Sequence, residues 1–358
     1  MIEVAGARWR ELAPEIGREE LAAWAARIMQ PVAMTGATGF VGSHLVDALL
    51  AAGIRPRALV RDPAKLGERA RRVVEVVRGD LDDRDALRRV TAGAGTVLHL
   101  AGVVRAASAG QFDRGNRAGT ENLVAAVAEA SRGARLVAVS SLSATGPSKD
   151  PSGRAPEDKP QPISAYGRSK LGAENSVRTF TGPWVILRPP AIFGPRDTDV
   201  LQFFRLAARG AVPVPAGERW LSTAYVADVV RAILAAAAGE GTGRILHLGE
   251  PAPREIRDLI RLIATSGGVH ARVVPVPRLL VRLGGVCGDM LQRFGVASFA
   301  LTSDKARELV GRHWTAQTAA SLQVLGLEGF VPFATGAGVA WAWYREHGWV
   351  PRAKMHEQ

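Results

Sequence analysis

Tyr166 and Lys170 stand four residues apart in the stretch Tyr-Gly-Arg-Ser-Lys. On a helix, side chains at i and i+4 face the same side, one turn apart. A free tyrosine has a pKa near ~10, and a nearby ammonium lowers that pKa because it stabilises the phenolate. Such a phenol can exchange a proton with an alcohol or a carbonyl near neutral pH. The pair therefore indicates acid–base catalysis, although the same spacing also occurs in surface helix pairs.

A glycine-rich turn follows the first apolar segment of the chain. Residues 32–35 read as a strand and 43–52 as a helix, with Gly36, Gly39 and Gly42 near the turn. Gly36 permits a tight turn, Gly39 lets backbone amides approach a pyrophosphate, and Gly42 lets the helix pack on the strand. The spacing G-x-x-G-x-x-G is one residue longer than the G-x-G-x-x-G fingerprint, and a glycine triplet alone can be a simple turn. Together with the downstream Tyr/Lys pair, it indicates dinucleotide binding.

Further motifs follow in a fixed order. They are Gly79-Asp80-Leu81, Leu98-His99-Leu100-Ala101-Gly102, Asn116 with Gly119-Thr120-Glu121-Asn122-Leu123, Val139-Ser140-Ser141, and Arg188-Pro189-Pro190-Ala191-Ile192-Phe193-Gly194-Pro195. With the glycine turn and Tyr-x-x-x-Lys, they make the chain resemble an extended short-chain dehydrogenase/reductase of the NAD-dependent epimerase/dehydratase family, on its 3β-hydroxysteroid-dehydrogenase-like branch. The resemblance covers most of the chain and fixes no substrate.

The alternation of apolar and helical segments predicts an α/β fold. Strands are predicted at 32–35, 56–60, 73–77, 96–100, 135–140 and 184–188. This order is typical of a Rossmann doubly wound parallel sheet, which binds ligands at the carboxyl ends of its strands. We expect a Rossmann domain over 29–194 and a smaller substrate-binding lobe over 195–350. A segment near 220–250 is expected to return to the sheet, and 351–358 form a tail.

The first 28 residues precede the part of the chain that resembles the family. Their apolar residues form a weak amphipathic helical pattern, at Leu12, Ile16, Leu21, Trp24 and Ile28. Two alternatives are open. Either Met29 is the true start and residues 1–28 are an artefact or a flexible leader, or the segment is a helix that docks on the domain or on a partner. We favour the first.

Composition bounds the class of protein. A chain of 358 residues with 47% hydrophobic content can bury one large core or two lobes. It contains neither an apolar run of about eighteen residues nor a signal-peptide pattern, so a cytoplasmic protein is expected. The net charge of +12 is spread over the chain without a DNA-binding motif, so we expect no nucleic-acid partner. The single cysteine, Cys287, is expected to be a small buried hydrophobe, and no metal site is expected.

The residues that follow the second predicted strand indicate the cofactor preference. Here Arg61 and Asp62 follow residues 58–60. An acidic residue that ends this strand binds the ribose hydroxyls of NAD, whereas an arginine accommodates the 2′-phosphate of NADP. Arg61 therefore favours NADP, with NAD possible. The question stays open because a shift of the strand end by one residue would exchange the two roles. Asp62 can also be a turn residue before proline.

The resemblance implies roles for the other motifs. The implied cofactor contacts are Gly36, Thr38, Gly39, Phe40 and Val41 at the turn, Asp80 and Leu81 near the adenine, Ala101 and Gly102 below the pyrophosphate, Pro189 and Ile192 near the nicotinamide, and Tyr166 and Lys170. Ser141 is implied to polarise the substrate oxygen, with Ser140 and Ser143 as alternatives if the register differs. All three hydroxyls could instead be strand-end caps. Phe193 is implied to contact the substrate.

Other polar residues in these motifs have structural interpretations. Asn116 resembles the family's helix asparagine, with a structural role as the alternative. Arg188 is expected to be a structural ion-paired residue, and His99 a core imidazole with satisfied hydrogen bonds. His44 is expected to face outward from its helix.

The substrate has to be read from the later lobe. Segments 275–283, 301–306 and 340–349 look similar to the tails of 3β-hydroxysteroid-dehydrogenase-like and 3-oxoalkanoate-reductase-like members, and equally read as amphipathic packing. We expect an NADP-dependent oxidoreductase that interconverts an alcohol and a ketone on a hydrophobic or ring-bearing small molecule. The alternatives are a sugar-nucleotide epimerase or dehydratase with tightly bound NAD, and a non-catalytic NADP-binding sensor or scaffold. The resemblance also implies a homodimer.

Overall fold

The computed structural model describes residues 16–293 and 301–351. Its strands are β1 Val32–Thr35, β2 Arg57–Val60, β3 Glu75–Arg78, β4 Thr96–His99, β5 Arg135–Val139, β6 Trp184–Arg188, β7 Ala191–Phe193, β8 Ala211–Pro215, β9 Trp220–Leu221, β10 Thr223–Tyr225, β11 Arg244–His247, β12 Arg254–Glu255, β13 Arg272–Val276 and β14 His313–Trp314.

The α-helices alternate with these strands. They are α1 Arg18–Ala25, α2 Phe40–Ala51, α3 Glu68–Val73, α4 Arg84–Thr91, α5 Ala109–Phe112, α6 Gly119–Ala130, α7 Ala165–Arg178, α8 Leu201–Ala208, α9 Val226–Ala237, α10 Ile256–Ser266, α11 Arg278–Arg293, α12 Ser303–Val310, α13 Ala319–Val324 and α14 Phe333–Glu346. Short 3-10 turns span Pro63–Lys65 and Leu142–Ala144, and a π turn spans Asp113–Ala118.

A seven-stranded parallel sheet forms the centre of the fold, in the order β11-β6-β5-β4-β1-β2-β3. This confirms the predicted Rossmann fold, and the six predicted strands lie within two residues of their predicted bounds. The largest difference is β3, which begins at Glu75 because α3 continues to Val73. The seventh strand, β11, comes from the later part of the chain and pairs with β6.

Helices cover both faces of the sheet and enclose separate apolar cores. One core lies between the sheet, α2 and α9, and another between the sheet, α4 and α6. The lobe that follows β6 has a core of its own, in which the aromatic rings of α8 and α14, among them Phe204, Trp341 and Tyr344, pack with aliphatic side chains of α10. The carboxyl ends of the parallel strands lie at one edge, where such sheets bind ligands.

Helix α1 is packed against the Rossmann domain. Leu21, Trp24 and Ile28 are buried in the core that contains α9, and the Glu20 carboxylate pairs with Arg231 at 2.9 Å. Residues 16–28 are therefore arranged as in the docking alternative and not as a flexible leader. Residues 1–15, and 352–358 of the expected tail, lie outside the described residues.

Two further expectations concern surfaces. Cys287 is exposed on α11, so the prediction of a buried cysteine is wrong. The reason is that α11 packs on the protein through one face only, and Cys287 lies on another. Among the described helices, none combines the length and the apolar character needed to cross a bilayer.

Candidate active site

The turn after β1 is built from glycines that no other residue can replace without a shift of backbone. Gly36 has a φ of 79°, and a Cβ placed on it would lie 2.6 Å from the Ala101 amide nitrogen. A Cβ on Gly42 would lie 2.0 Å from the Gly36 carbonyl oxygen. Gly39 is the N-cap of α2 and makes no side-chain cap, so the first amides of the helix remain available to an anion. The turn thus has the form of a phosphate cradle.

A cleft of about 420 Å³ opens beside this turn. Its walls include Thr38, Gly39, Phe40 and Ser43 on one side, Lys65, Leu66, Gly67 and Ala70 on the other, and Arg196 from the later lobe. Lys65 and Arg196 carry positive charge, and Arg196 is paired at 2.7 Å with Asp47, which also lines the cleft. Lys65 is therefore the cation that remains, near the amino end of a helix, for a diphosphate. The chain therefore fits a dinucleotide at this place. Lys65 was not predicted, although a second cation four residues after Arg61 is visible in the sequence.

The end of β2 separates the roles of Arg61 and Asp62. The strand ends at Val60, and Arg61 is exposed with no hydrogen bond or ion pair to the described residues. The Asp62 carboxylate accepts the Ala64 N–H at 3.0 Å and caps the 3-10 turn. Asp62 is thus engaged as a turn residue, and Arg61 is the side chain available to a ligand.

The loops after β3 and β4 approach the same edge of the sheet. Asp80 accepts the Asp82 N–H at 2.9 Å, so one of its carboxylate oxygens holds the turn after β3. Leu81 packs tightly on Gly119, where an added Cβ would lie 2.7 Å from the Leu81 Cδ1. The Ala101 N–H donates to Thr35 Oγ1 at 3.2 Å, which fixes the loop after β4 against the glycine turn. Contacts of these residues with the cofactor stay predictions.

The Tyr/Lys pair lies on α7, next to the loop that follows β5. Lys170 is buried, and its Nζ donates to the Val139 carbonyl oxygen at 2.8 Å. Of the three candidate serines, Ser141 is the one that lies beside the Tyr166 hydroxyl and lowers its pKa, and its Oγ accepts the Ser143 N–H at 3.1 Å. Ser140 instead donates to the Glu174 carboxylate. The structure thus brings Ser141 and Tyr166 together, with Lys170 on the same helix.

The electrostatics of Tyr166 differ from the expectation. Burial raises the pKa of Tyr166 to about 12, the hydrogen bond with Ser141 lowers it, and the carboxylates of Glu308 and Asp199 raise it further. Burial lowers the pKa of Lys170 to about 8, against the opposing charge of Glu174. Lys170 is not among the groups that shift this pKa, so a lowering of the pKa of Tyr166 by Lys170 stays a prediction. Tyr166 therefore keeps its proton at neutral pH, as a general acid requires.

We expect the Lys170 ammonium to make nucleotide binding dependent on pH. It is charged below pH about 8 and loses its proton as the pH rises through that value, because burial lowers its pKa. If it binds the nicotinamide ribose, as the resemblance implies, we expect the Kd of NADPH to rise about fivefold between pH 7 and pH 9, since a charge-assisted hydrogen bond becomes neutral. Fluorescence titration measures this. Lys170→Met should bind weakly with a flat profile, and an equal rise in that variant would contradict the assignment.

Two carboxylates from the later lobe hold the amino end of α7. Asp304 accepts the Ala165 N–H at 2.6 Å and the Tyr166 N–H at 3.2 Å. Glu308 accepts a hydrogen bond from Ser164 Oγ at 2.8 Å. Through these bonds α12 fixes the position of the Tyr166 helix. Sequence reasoning missed both residues, because nothing in the segment around 304–308 indicates which helix it contacts.

Asn116 connects the loop after β4 to the Tyr166 helix. It lies on the π turn, accepts the Val103 N–H at 2.7 Å and donates to the Val103 carbonyl at 2.9 Å. Its Nδ2 also donates to Ser169 Oγ at 2.8 Å. The asparagine is therefore a cross-link that positions backbone around Lys170.

The remaining polar residues are structural. Arg188 forms a buried bidentate ion pair with Glu174, at 2.6 and 2.8 Å, which confirms its predicted role. His99 is buried with both ring nitrogens bonded to threonine hydroxyls, and burial lowers its pKa to about 3, which confirms the core imidazole. The prediction for His44 is wrong, since its Nε2 bonds the Pro195 carbonyl at 2.9 Å and burial lowers its pKa to about 4.

The segment after β6 contributes backbone and core. The Pro189 carbonyl accepts the Leu142 N–H at 2.8 Å and holds this segment beside the serine loop. Ile192 is half-buried where two cores meet. Phe193 is buried, with its ring centroid 5.7 Å from that of Tyr225 and 4.6 Å from that of Phe333. The predicted substrate contact of Phe193 is therefore replaced by a core position, because the lobe encloses its ring.

Comparison with known proteins agrees with this geometry. A model of the NAD dependent epimerase/dehydratase family matches residues 32–249. The chain is 35% identical to the ceramide reductase of Caulobacter vibrioides, over 90% of this chain and 96% of that protein. It is 31% identical to the 4-hydroxy-2-methyl-3-oxo-4-farnesyl-3,4-dihydroquinoline-1-oxide ketoreductase of Stigmatella aurantiaca, over 85% and 93%.

Solved structures share the fold. MoeE5, in complex with UDP-glucuronic acid and NAD, superposes with a TM-score of 0.72 at 24% identity, over 89% of this chain and 100% of that one. At this identity the likeness concerns the architecture alone. From the matched family, the seven-stranded sheet and the Ser141, Tyr166 and Lys170 arrangement, the chain belongs to the NAD-dependent epimerase/dehydratase family and is an NAD(P)-dependent enzyme of the short-chain dehydrogenase/reductase type.

Proposed function

We propose that the protein interconverts a ketone and an alcohol on a small molecule with a large hydrocarbon part, and that NADP is its preferred cofactor. The observation that carries the reaction type is the placement of the Tyr166 hydroxyl beside Ser141, on the helix that also carries the buried Lys170. The substrate class rests on the two relatives, whose names describe reductases of a ceramide and of a farnesyl-bearing molecule. Ceramide and farnesyl groups are both rich in hydrocarbon.

Each residue of the site then has a defined task. When bound, a nicotinamide dinucleotide supplies or accepts the hydride. The glycine turn and the amino end of α2 bind the phosphates. Ser141 Oγ–H donates to the substrate carbonyl oxygen, and Tyr166 transfers its proton to that oxygen as the carbonyl becomes a hydroxyl. Lys170 places a positive charge at the end of β5, where it can bind the ribose.

The use of the nucleotide distinguishes the proposed reductase from its rival, a sugar-nucleotide epimerase. We expect purified protein to carry no nucleotide and to oxidise one NADPH for each long-chain ketone reduced, followed at 340 nm. Retained NAD with conversion of a UDP-sugar and no net oxidation would favour the epimerase. A wild-type protein that binds NADPH but turns over neither a ketone nor a UDP-sugar, with Tyr166→Phe indistinguishable from it, would instead favour a sensor or scaffold.

Arg61 is proposed to bind the 2′-phosphate of NADP because it is exposed directly after β2 and has no partner among the described residues, while Lys65 carries a charge on the wall of the cleft beside the glycine turn. We expect Arg61→Ser to raise the Kd of NADPH about tenfold and to leave that of NADH within about twofold, since only one cofactor carries the phosphate. Fluorescence titration with both nucleotides measures this.

The matched control is Arg69→Ser. Arg69 is an exposed arginine of α3 that lies outside the cleft walls. The Arg69→Ser substitution removes the same charge from the same region. It should change the Kd of NADPH and that of NADH by no more than about twofold. If Arg61→Ser weakened the binding of NADPH and of NADH equally, Arg61 would not be the residue that binds the 2′-phosphate.

A further inference from the structure

Helix α11 exposes an apolar stripe. Five of the eight large apolar side chains that are exposed in the described ranges lie on this helix, namely Leu279, Leu280, Leu283, Val286 and Met290, and they are 46 to 66% exposed. The spacing of 279, 283, 286 and 290 places those four side chains along one face. Exposure of such a stripe to water is unfavourable, and covering it with another apolar phase lowers the free energy.

The opposite face of α11 anchors the helix to the protein. Val281 is buried, and a Cβ on Gly285 would lie 2.8 Å from the Ala306 Cβ, so α11 and α12 are in close contact. Asp289 accepts the Ser303 N–H at 3.1 Å. The stripe is therefore held outward by a fixed helix, and its exposure is not the result of a loose segment.

Two arginines and one aspartate are the charged residues beside the stripe. Of the charged residues between 278 and 291, Arg282 is exposed with no partner in the described chain, Arg278 donates to the Ala216 carbonyl, and Asp289 is used by Ser303. Arg272 is exposed on the preceding strand. An apolar stripe flanked by arginines matches the surface of an anionic bilayer, where the apolar face enters the acyl boundary and the cations meet headgroup phosphates.

We propose that α11 lies in the surface of an anionic lipid bilayer and docks the protein there. The helix has 16 residues and is about 24 Å long, and it lies along the surface without crossing it. A second copy of the chain is a poorer occupant, because a stable protein interface takes about 20–30 residues on each side and the stripe offers five.

The position of α11 connects this surface with the active site. Helix α11 packs on α12, and α12 carries Asp304 and Glu308, which bind the amino end of the Tyr166 helix. An enzyme whose substrate is rich in hydrocarbon would meet that substrate at a bilayer. This last step rests on the proposed function, whereas docking itself does not.

The test is co-sedimentation with vesicles, using the full chain without substrate. We expect binding to vesicles of phosphatidylglycerol and phosphatidylcholine at low salt, weaker binding to pure phosphatidylcholine, and a loss of tenfold or more in the partition coefficient for the Leu283→Gln/Met290→Gln variant. Arg282→Gln should weaken partitioning about fivefold. Met29→Gln, which changes an exposed apolar side chain elsewhere, should bind like the wild type.

Two outcomes would overturn the proposal. One is a folded wild type that does not sediment with anionic vesicles. The other is a wild-type dimer, seen by analytical ultracentrifugation, that the Leu283→Gln/Met290→Gln variant dissociates, because the stripe would then be a protein interface. Unchanged urea midpoints show that the variants fold. Tyr166→Phe should bind vesicles normally, so failure of the proposed reaction and failure of docking are distinguishable.

Discussion

Replacing Tyr166 by phenylalanine is expected to lower kcat for ketone reduction by 10² to 10⁴, the range contributed by a positioned general acid. The substitution removes only the hydroxyl, which lies beside Ser141 and is the proposed proton donor. The ring remains packed beside Phe112, with centroids 5.8 Å apart, so the loss should fall on the chemical step. Steady-state rates of NADPH oxidation with a long-chain ketone measure it.

The Kd of NADPH shows whether the Tyr166→Phe substitution has damaged the rest of the site. Tyr166→Phe should change the Kd of NADPH by less than about threefold, because the cradle and Arg61 are untouched. Ser141→Ala should lower kcat by a smaller factor, since it removes one hydrogen bond to the substrate oxygen and leaves the proton donor in place. A Tyr166→Phe variant that retains more than a tenth of the wild-type kcat would mean that another group protonates the substrate.

Glu174→Ala is expected to lower the free energy of unfolding by about 3–5 kcal/mol, because it leaves the Arg188 guanidinium buried without its counter-charge. The two side chains are 1 and 2% exposed. Glu174 lies on the helix of Tyr166 and Lys170, and also accepts from Ser140, so the pair fastens this helix to β5 and β6. Urea denaturation followed by circular dichroism measures the change.

Two further variants serve as controls for the Glu174→Ala result. Glu121→Ala breaks an exposed i,i+4 pair with Arg117 and should cost less than about 0.5 kcal/mol. Glu174→Met combined with Arg188→Met should recover part of the loss, because apolar side chains of similar size can replace a buried pair. If Glu174→Ala cost no more than Glu121→Ala, the buried pair would not be what fixes the helix.

The sequence alone determined the sheet and the nucleotide cradle. Short apolar runs separated by helical stretches leave few alternatives to a parallel sheet. The spacing of Gly39 and Gly42 follows from their contacts with the Gly36 backbone, which are local in the sequence, although Gly36 itself lies against Ala101. Tyr166 and Lys170 could be paired for the same reason, since an i,i+4 spacing on one helix is a local property. The family resemblance added Ser141, which the structure places beside Tyr166.

The tertiary structure decided everything that depends on distant segments. The direction of the pKa shift of Tyr166 follows from burial and from Glu308 and Asp199, which no local pattern connects with it. The same holds for Asp304 at the amino end of α7 and for the ring of Phe193, which the lobe takes into its core. Local spacing fixes which side chains share a helix face, whereas electrostatics and burial depend on the whole surrounding volume, which only the packed chain defines.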